Sequence, residues 1–352
     1  MGHRLVEQVG PVPSAQTTAP PGRVRKQERS GVAPRVAAFA LSFGLLTLVQ
    51  LLVARPMLVA ERFVPGAGWI EVILLAVYAA WLIGLLYDPR STALWRRRLW
   101  TFFSLIFFAQ LALGLIGVER FLMSGKLHLP IPAMIVAGPL YRGEGLFMPI
   151  LFTVTVLLVG PAWCSYLCYI GSWDLNAAVG RKRPAQLPGW RNWFRFGILG
   201  MIVAAAVGLR LLGVASLAAT VAGIAVGLLG VGVMVLVSPR MGTMVHCAMY
   251  CPIGLLADVL GKLSPFRLRI NQDACTDCGA CAIKCRYGAL RPEHIEARRP
   301  GLSCTLCGDC ISACRGRSIE YGFVGLSPRM ARTVFLVLVV SLHAVFLGVA
   351  RI

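Results

Sequence analysis

Residues 197–238 read GILGMIVAAAVGLRLLGVASLAATVAGIAVGLLGVGVMVLVS, a run of apolar and small side chains interrupted by a single charge, Arg210. Crossing the hydrocarbon of a bilayer takes roughly 20 helical residues, so this run is long enough for two crossings, with Gly213 at the turn between them. The composition points the same way. Hydrophobic residues make up 57% of the 352-residue chain and charged residues 14%, against about a quarter charged in an ordinary globular domain, and the mean hydropathy is +0.72. A soluble protein of two or three domains, which the length alone would suggest, is excluded.

The same criterion, carried outward from that run, gives seven spans: Val36–Ala54, Ile70–Tyr87, Leu99–Val118, Leu146–Val159 extended to about Trp163, Phe194–Leu212, Ala215–Val237 and Thr333–Ala350. Residues 1–35 hold five prolines, six Lys or Arg and no apolar stretch, and read as a disordered basic tail. The first span is too long for the core of a cleaved signal, and no small-residue cleavage site follows it. It reads as a retained anchor. With the N-terminus inside, the inner connections hold 26 Lys and Arg against 6 in the outer ones, and basic residues are retained on the cytoplasmic side. The expectation is a bacterial inner-membrane protein with its C-terminus in the periplasm.

The formal charge of +20 does not indicate a nucleic-acid partner, because the bases lie between apolar runs rather than on one face of a folded domain. Twelve cysteines occur, none before Cys164, and all fall on the inner side of this topology. A reducing compartment disfavours structural disulfides, which leaves metal or redox work.

Residues 275–285, CTDCGACAIKC, and 304–314, CTLCGDCISAC, each read C-x2-C-x2-C-x3-C. This is the bacterial ferredoxin run, in which three thiolates of one run and the fourth of the other hold each 4Fe-4S cluster. On that pattern Cys275, Cys278, Cys281 and Cys314 hold one cluster, and Cys304, Cys307, Cys310 and Cys285 the other. Structural zinc also takes four thiolates, but zinc modules use two C-x2-C pairs rather than two complete runs. Arg286 and Arg315 stand where proline usually follows the fourth cysteine. Residues 265–330 carry ten bases and six acids, a surplus that either raises the cluster potentials or meets anionic headgroups.

Two shorter motifs repeat: WCSYLCYIG at 163–171 and HCAMYCPIG at 246–254. Helical positions i and i+4 share a face, so Cys164 with Cys168, and Cys247 with Cys251, would each present two thiols at the inner membrane surface. Three readings stand open: a third iron–sulfur or metal centre, a thiol or transient metal relay, and small side chains that close helix packing.

This order of motifs resembles the NapH/MauN-type membrane ferredoxin proteins over roughly residues 145–325, and is more distantly similar to the C-terminal half of NosR-type regulators and to CcoG-type oxidase assembly proteins. Tyr169 replaces the proline expected after the first C-x3-C, and the additional spans exceed the NapH plan. The resemblance implies electron transfer in nitrate, nitrous oxide, methylamine or oxidase-assembly systems.

The remaining candidates have plain structural readings. His343 lies within the last span, without the second histidine that an axial haem pair needs, and His246 adjoins Cys247. HLPIPAMIVAGPLYR at 128–142 is broken by Pro130, Pro132 and Pro139, so it forms no regular span and reads as a packed outer loop or a re-entrant quinone or partner site. Gly223 and Gly227 permit close helix approach, and Arg210 snorkels. No phosphate-binding glycine loop, serine nucleophile elbow or zincin motif occurs.

The sequence therefore predicts an all-α polytopic membrane protein with an inserted cytoplasmic two-cluster ferredoxin module. Its expected parts are a tail (1–35), three helices (36–118), an outer loop (119–144), three helices with the paired C-x3-C motifs (145–255), the module (256–330) and a final helix (331–352). It reads as a carrier of single electrons rather than an enzyme, between a cytoplasmic or quinol donor and a membrane or periplasmic redox partner. The rival readings are an assembly factor supplying electrons or metal to a cofactor-containing enzyme, and a redox sensor.

Overall fold

The computed structural model describes residues 31–121 and 130–349, and the expected tail at 1–30 lies outside them. Among the described residues seven helices are long and apolar enough to cross a membrane. They are α1 (Val32–Leu52), α3 (Gly68–Leu86), α4 (Thr92–Leu115), α6 (Phe147–Val159, continuing through tighter and wider turns to Leu167), α8 (Arg191–Leu211), α9 (Ser216–Gly232, continuing to Met241 through α10, Ser238–Met241) and α15 (Pro328–Gly348). Short helices α2 (Val59–Phe63), α5 (Met134–Arg142), α7 (Tyr169–Ala178) and α11 (Pro252–Leu260) lie between them. The segment between the sixth and seventh spans adds α12 (Ala280–Lys284), α13 (Pro292–Glu296), α14 (Asp309–Ala313) and a two-stranded sheet.

Three of the boundaries that differ from expectation have a local cause. The first helix begins at Val32, with Pro34 in its opening turn where a missing N–H costs nothing, so residues 32–35 are helix rather than tail. The third span begins at Thr92, whose hydroxyl donates to the Leu86 and Asp88 carbonyls at 2.8 and 2.7 Å. This draws Arg96, Arg97 and Arg98 into the helix. The last span starts at Pro328, capped by the Ser327 hydroxyl accepting from the Met330 N–H. The turn expected at Gly213 is present, with φ of 63°.

The proline-broken stretch at 128–142 folds more than expected. Residues His128 and Leu129 lie outside the described residues, but α5 forms with Pro139 inside it and Gly143, in the left-handed region, ending it. It packs against α8. Gly227 meets Ile131, so half of the G-x3-G pair serves packing, and Arg210 donates to the Leu140 carbonyl at 3.5 Å.

Helices α1, α3 and α15 pack on one another. One continuous apolar core then runs from Leu86 and Trp100 through Phe152, Trp163 and Tyr166 into Phe266, Tyr321 and Phe335. The sheet closes the inserted segment: β1 (Arg267–Ile270) pairs antiparallel with β2 (Ile319–Gly322), Arg267 opposite Gly322 and Ile270 opposite Ile319. Alternation puts Leu268 and Ile270 inward, as a half-buried strand requires. His343 is a core residue, its ring nitrogens 3.1 Å from the Tyr166 carbonyl and 3.4 Å from the Tyr78 hydroxyl.

Candidate functional site

The two four-cysteine runs have the same local fold. In each, the residue before the second cysteine takes a positive φ (Asp277 at 51°, Leu306 at 55°), as does the glycine after it (Gly279 at 68°, Gly308 at 79°). The glycine starts a five-residue helix, α12 or α14, and the fourth cysteine, Cys285 or Cys314, ends it in an extended conformation. Glycine suits this left-handed position because it lacks a Cβ. Helices α12 and α14 pack together, bringing the two runs side by side.

Backbone amides point at the sulfurs. The Ala289 N–H donates to Cys285 Sγ at 3.3 Å and the Ser318 N–H to Cys314 Sγ at 3.2 Å. Burial pushes the thiols up, Cys281 to about 11 and Cys307 to about 12, with Cys285, Cys304 and Cys310 raised as well. Amide donors pull the other way at Cys281, Cys285, Cys304 and Cys307. Such thiols become thiolates when a cationic group displaces their protons. Left-handed loops that expose amides to soft sulfur donors fit an iron–sulfur cluster, whose potential depends on such hydrogen bonds.

The runs differ in exposure. Cys278 is exposed, whereas Cys310 is buried. The first run faces outward, with Asp277 paired to Arg298 at 2.5 Å. The second docks onto the first C-x3-C motif: Ser165 Oγ donates to the Thr305 carbonyl at 3.0 Å and the Tyr166 hydroxyl to the Cys307 carbonyl at 3.0 Å. The Tyr287 hydroxyl, two residues after Cys285, donates to the Cys164 carbonyl at 3.1 Å. Arg286, one of the departures from the usual proline, donates to the Arg181 and Gly242 carbonyls at 2.9 and 2.7 Å, anchoring the module to the segments that follow α7 and α10.

Sequence reasoning missed the residue that locks this dock. Arg96 of α4 is fully buried, its Nε and Nη2 reaching the Asp309 carboxylate at 2.8 and 2.5 Å and its Nη1 the Ser165 carbonyl at 2.9 Å. In the sequence it reads as one of the basic residues that set topology. The only available signal was its place in the WRRRLW segment between two tryptophans.

The paired C-x3-C motifs do not form regular helix. Each is a five-residue π turn, Trp163–Leu167 or His246–Tyr250, closed by a bond from the second cysteine's N–H to the carbonyl five residues earlier: Cys168 to Trp163 at 2.9 Å, Cys251 to His246 at 2.8 Å. Cys168 and Cys251 are then extended and precede α7 and α11. The Ile-Gly that follows in each repeat has a steric reason: a Cβ at Gly171 would lie 3.0 Å from the Cys164 carbonyl oxygen, and one at Gly254 2.8 Å from that of Cys247. The shared-face expectation for an α-helix is therefore replaced by wider turns, yet all four cysteines line one cavity of about 50 Å³, with His246 and Met148 in its wall.

The electrostatics of this cavity are set by burial. It raises Cys247 and lifts Cys251 to about 12, while the Ile253 and Gly254 amides pull Cys251 down. Cys168 is raised by burial and opposed by the Gly171 and Ile170 amides. The Asp174 carboxylate accepts from Ser238 Oγ at 2.5 Å and from the Cys247 N–H at 3.0 Å, and Asp258 pairs with buried Arg195 at 2.8 Å. Burial depresses His246 to about 4, keeping its ring neutral. Among the described residues no three Cys, His, Asp or Glu side chains are gathered closely enough to hold a single metal ion.

Known proteins agree with this chemistry. A family of 4Fe-4S binding domains matches residues 268–291, and a second matches residues 141–174 and 224–271, segments that contain all four C-x3-C cysteines. The class is thus a mostly helical protein with seven helices suited to a membrane and ferredoxin-type 4Fe-4S domains. Among individual proteins, the chain is 27% identical over 220 residues to "Putative electron transport protein YccM" of Escherichia coli (strain K12), covering 56% of this chain and 61% of that one. Two proteins of Methanocaldococcus jannaschii match over 78 residues: "Uncharacterized protein MJ0749" at 27% identity, covering 22% of this chain and 30% of that one, and "Uncharacterized ferredoxin MJ0265" at 32%, covering 21% and 41%. The chain thus spans about three fifths of the first relative and less than half of the other two. No solved structure matches.

Proposed function

We propose that this protein is an iron–sulfur electron carrier of the bacterial inner membrane, passing single electrons between a donor at the exposed face of the ferredoxin module and a redox partner in or beyond the membrane. The observation that carries this reading is the docking of the second four-cysteine run on the first C-x3-C turn through Ser165, Tyr166, Tyr287 and Arg96. Two 4Fe-4S clusters, one held by Cys275, Cys278, Cys281 and Cys314 and one by Cys304, Cys307, Cys310 and Cys285, would supply one-electron couples. The chain's residues do the rest. The loop around exposed Cys278 offers a partner close approach. Tyr287 and Tyr166 bring the second run against the four-thiol cavity, and a buried core excludes water between them.

The cavity of Cys164, Cys168, Cys247 and Cys251 acts as the onward station. Beyond it, α5, α8 and α9 enclose an apolar cavity of about 230 Å³, whose wall residue Val226 accepts the Tyr250 hydroxyl at 2.7 Å from the second C-x3-C turn. That proximity supports a quinone as the lipid-soluble partner. The module and N-terminus lie on the cytoplasmic side in this reading and the C-terminus in the periplasm, as the distribution of bases supports.

Anaerobic redox titration followed by EPR tests the reading. Two 4Fe-4S signals that fill from a reduced soluble donor and empty into membranes support it. A colourless preparation without iron or acid-labile sulfide refutes it.

A further inference from the structure

A cavity of about 320 Å³ lies where the end of α3, the turn into α4, strand β2 and the first turn of α15 meet. Its wall carries four arginines, Arg90, Arg317, Arg329 and Arg332, against two carboxylates, Asp88 and Glu320. Both carboxylates have other duties. Asp88 Oδ1 accepts the Arg90 N–H at 3.0 Å, and Glu320 stands opposite Arg269 in the two-stranded sheet, where facing side chains of opposite charge attract. Cys314 also lines the cavity, which therefore adjoins the cluster proposed at the exposed run.

Arg332 is half-buried. Its Nη2 donates to the Leu86 carbonyl at 3.2 Å and to Thr92 Oγ1 at 3.3 Å, and the guanidinium stands 5.6 Å from the centroid of the Tyr87 ring. These contacts hold the fork in place, but both acceptors are neutral, whereas the buried Arg96 and Arg195 meet carboxylates at 2.5 and 2.8 Å. A cation drawn partly out of water among neutral partners gains from an anion beside it. The Arg329 side chain reaches the Tyr87 hydroxyl, which is also 3.3 Å from Thr333 Oγ1. Two guanidinium groups are thus held at one tyrosine.

Arginine forks match the oxygens of phosphate, and the volume is that of the smaller ligand sites, which start at roughly 300 Å³. Three helices suited to crossing a bilayer end or begin here, which sets the cavity at headgroup level, and basic pockets between such helices take acidic lipid headgroups. We propose that the cavity binds the phosphate of an anionic phospholipid headgroup through Arg329 and Arg332, and that the bound anion holds down the reduction potential of the cluster that includes Cys314. The coupling rests on the electron-carrier reading; the binding does not. Negative charge beside a cluster disfavours its reduced form, which carries one negative charge more. The surrounding lipid thereby sets how readily the exposed run takes an electron.

The test uses the full chain, purified anaerobically in detergent, stripped of lipid and offered phosphatidylglycerol, phosphatidylcholine or inorganic phosphate, with binding read by native mass spectrometry and phosphorus NMR. The expected result is retention of phosphatidylglycerol over phosphatidylcholine. Arg329→Gln and Arg332→Gln should each weaken it about fivefold, the worth of one charge near a membrane surface. Arg329 is exposed, so its variant probes the site without disturbing the helix contacts of Arg332. Arg299→Gln, in the wall of the separate cavity beside Cys304, should leave binding unchanged. Phosphatidylglycerol that inorganic phosphate does not displace assigns the lipid; inorganic phosphate bound alone and weakened by the same variants supports the site with free phosphate as its source. Equal retention of the two lipids without phosphate binding, or retention that both variants leave unchanged, overturns the site. In nanodiscs, the EPR signal lost with Cys278→Ser should titrate at lower potential with phosphatidylglycerol than with phosphatidylcholine alone, and Arg329→Gln should remove the difference. Equal potentials overturn the coupling while lipid retention stands. A preparation without iron overturns the electron-carrier reading and leaves the lipid result readable.

Discussion

Replacing Arg96 by Met should detach the second four-cysteine run from the membrane helices without removing its ligands. The guanidinium is fully buried and the Asp309 side chain is 13% exposed, so the substitution leaves a nearly buried carboxylate without its cation. It also removes the bond to the Ser165 carbonyl at 2.9 Å and stacking over Trp100 and Tyr166 at 5.3 and 5.9 Å. Breaking a buried ion pair from one side costs about 3–5 kcal/mol, which at 1.4 kcal/mol per decade shifts the docked equilibrium by roughly two to three and a half orders of magnitude. Hydrogen exchange of the amides in 304–314 and 163–169 reports that equilibrium directly, and both segments should lose protection together. The double variant Arg96→Met with Asp309→Leu should regain most of it, because two apolar groups leave no stranded charge. Unchanged exchange in the single variant, or a double variant as open as the single one, would refute the clamp.

The two runs should differ in access: Cys278→Ser should abolish one cluster's EPR signal and Cys307→Ser the other's, and in the unmodified protein the signal lost with Cys278 should be broadened more by an aqueous relaxing agent. Equal broadening would contradict the outward placement of Cys278. Gly171→Ala brings a methyl within 2.6 Å of the Trp100 ring, and overpacking of about 1–3 kcal/mol should appear as a lowered melting temperature and faster alkylation of Cys164; an unshifted melt argues against close packing there. Burial lifts Asp258 to about 6, with Arg195 opposing. Between about pH 4, near the unfolded value, and pH 6 the folded form therefore binds more protons, so stability falls as pH rises through that window. Asp258→Asn should flatten this slope in thermal unfolding; a slope that persists points to another group.

Much of the architecture is legible because a bilayer imposes a length and a polarity on each helix. The seven spans follow from apolar runs alone, and Gly213 marks its turn because only a residue tolerant of positive φ ends one helix and starts the next in so few residues. Arg96 is illegible for the opposite reason. A base at the inner end of a span reads as a topology signal, and only the fold shows that Asp309, more than two hundred residues later, neutralises it. The C-x3-C motifs fall between these cases. Their repeat was visible, but not the π turns, since i,i+4 spacing is compatible with several backbone geometries until each second cysteine is seen to open a new helix.

The near-identical cysteine spacings of the module conceal a difference in environment. Each run has the same positive-φ pair, the same five-residue helix and an amide on its fourth sulfur, so the local chemistry of the two halves is nearly equal. What separates them lies outside the runs: solvent beside Cys278, and Tyr166, Ser165 and Arg96 against residues 305–309. The runs also exchange their fourth ligands in the proposed clusters, so Cys285 belongs to the buried set and carries Tyr287 with it to the Cys164 carbonyl. All three hydrogen bonds between the module and the first C-x3-C turn therefore lie around one proposed cluster's ligand set. A duplicated ferredoxin motif thus acquires a polarity, one run exposed and one packed on the long helices, through the helices on which it rests rather than through its own sequence.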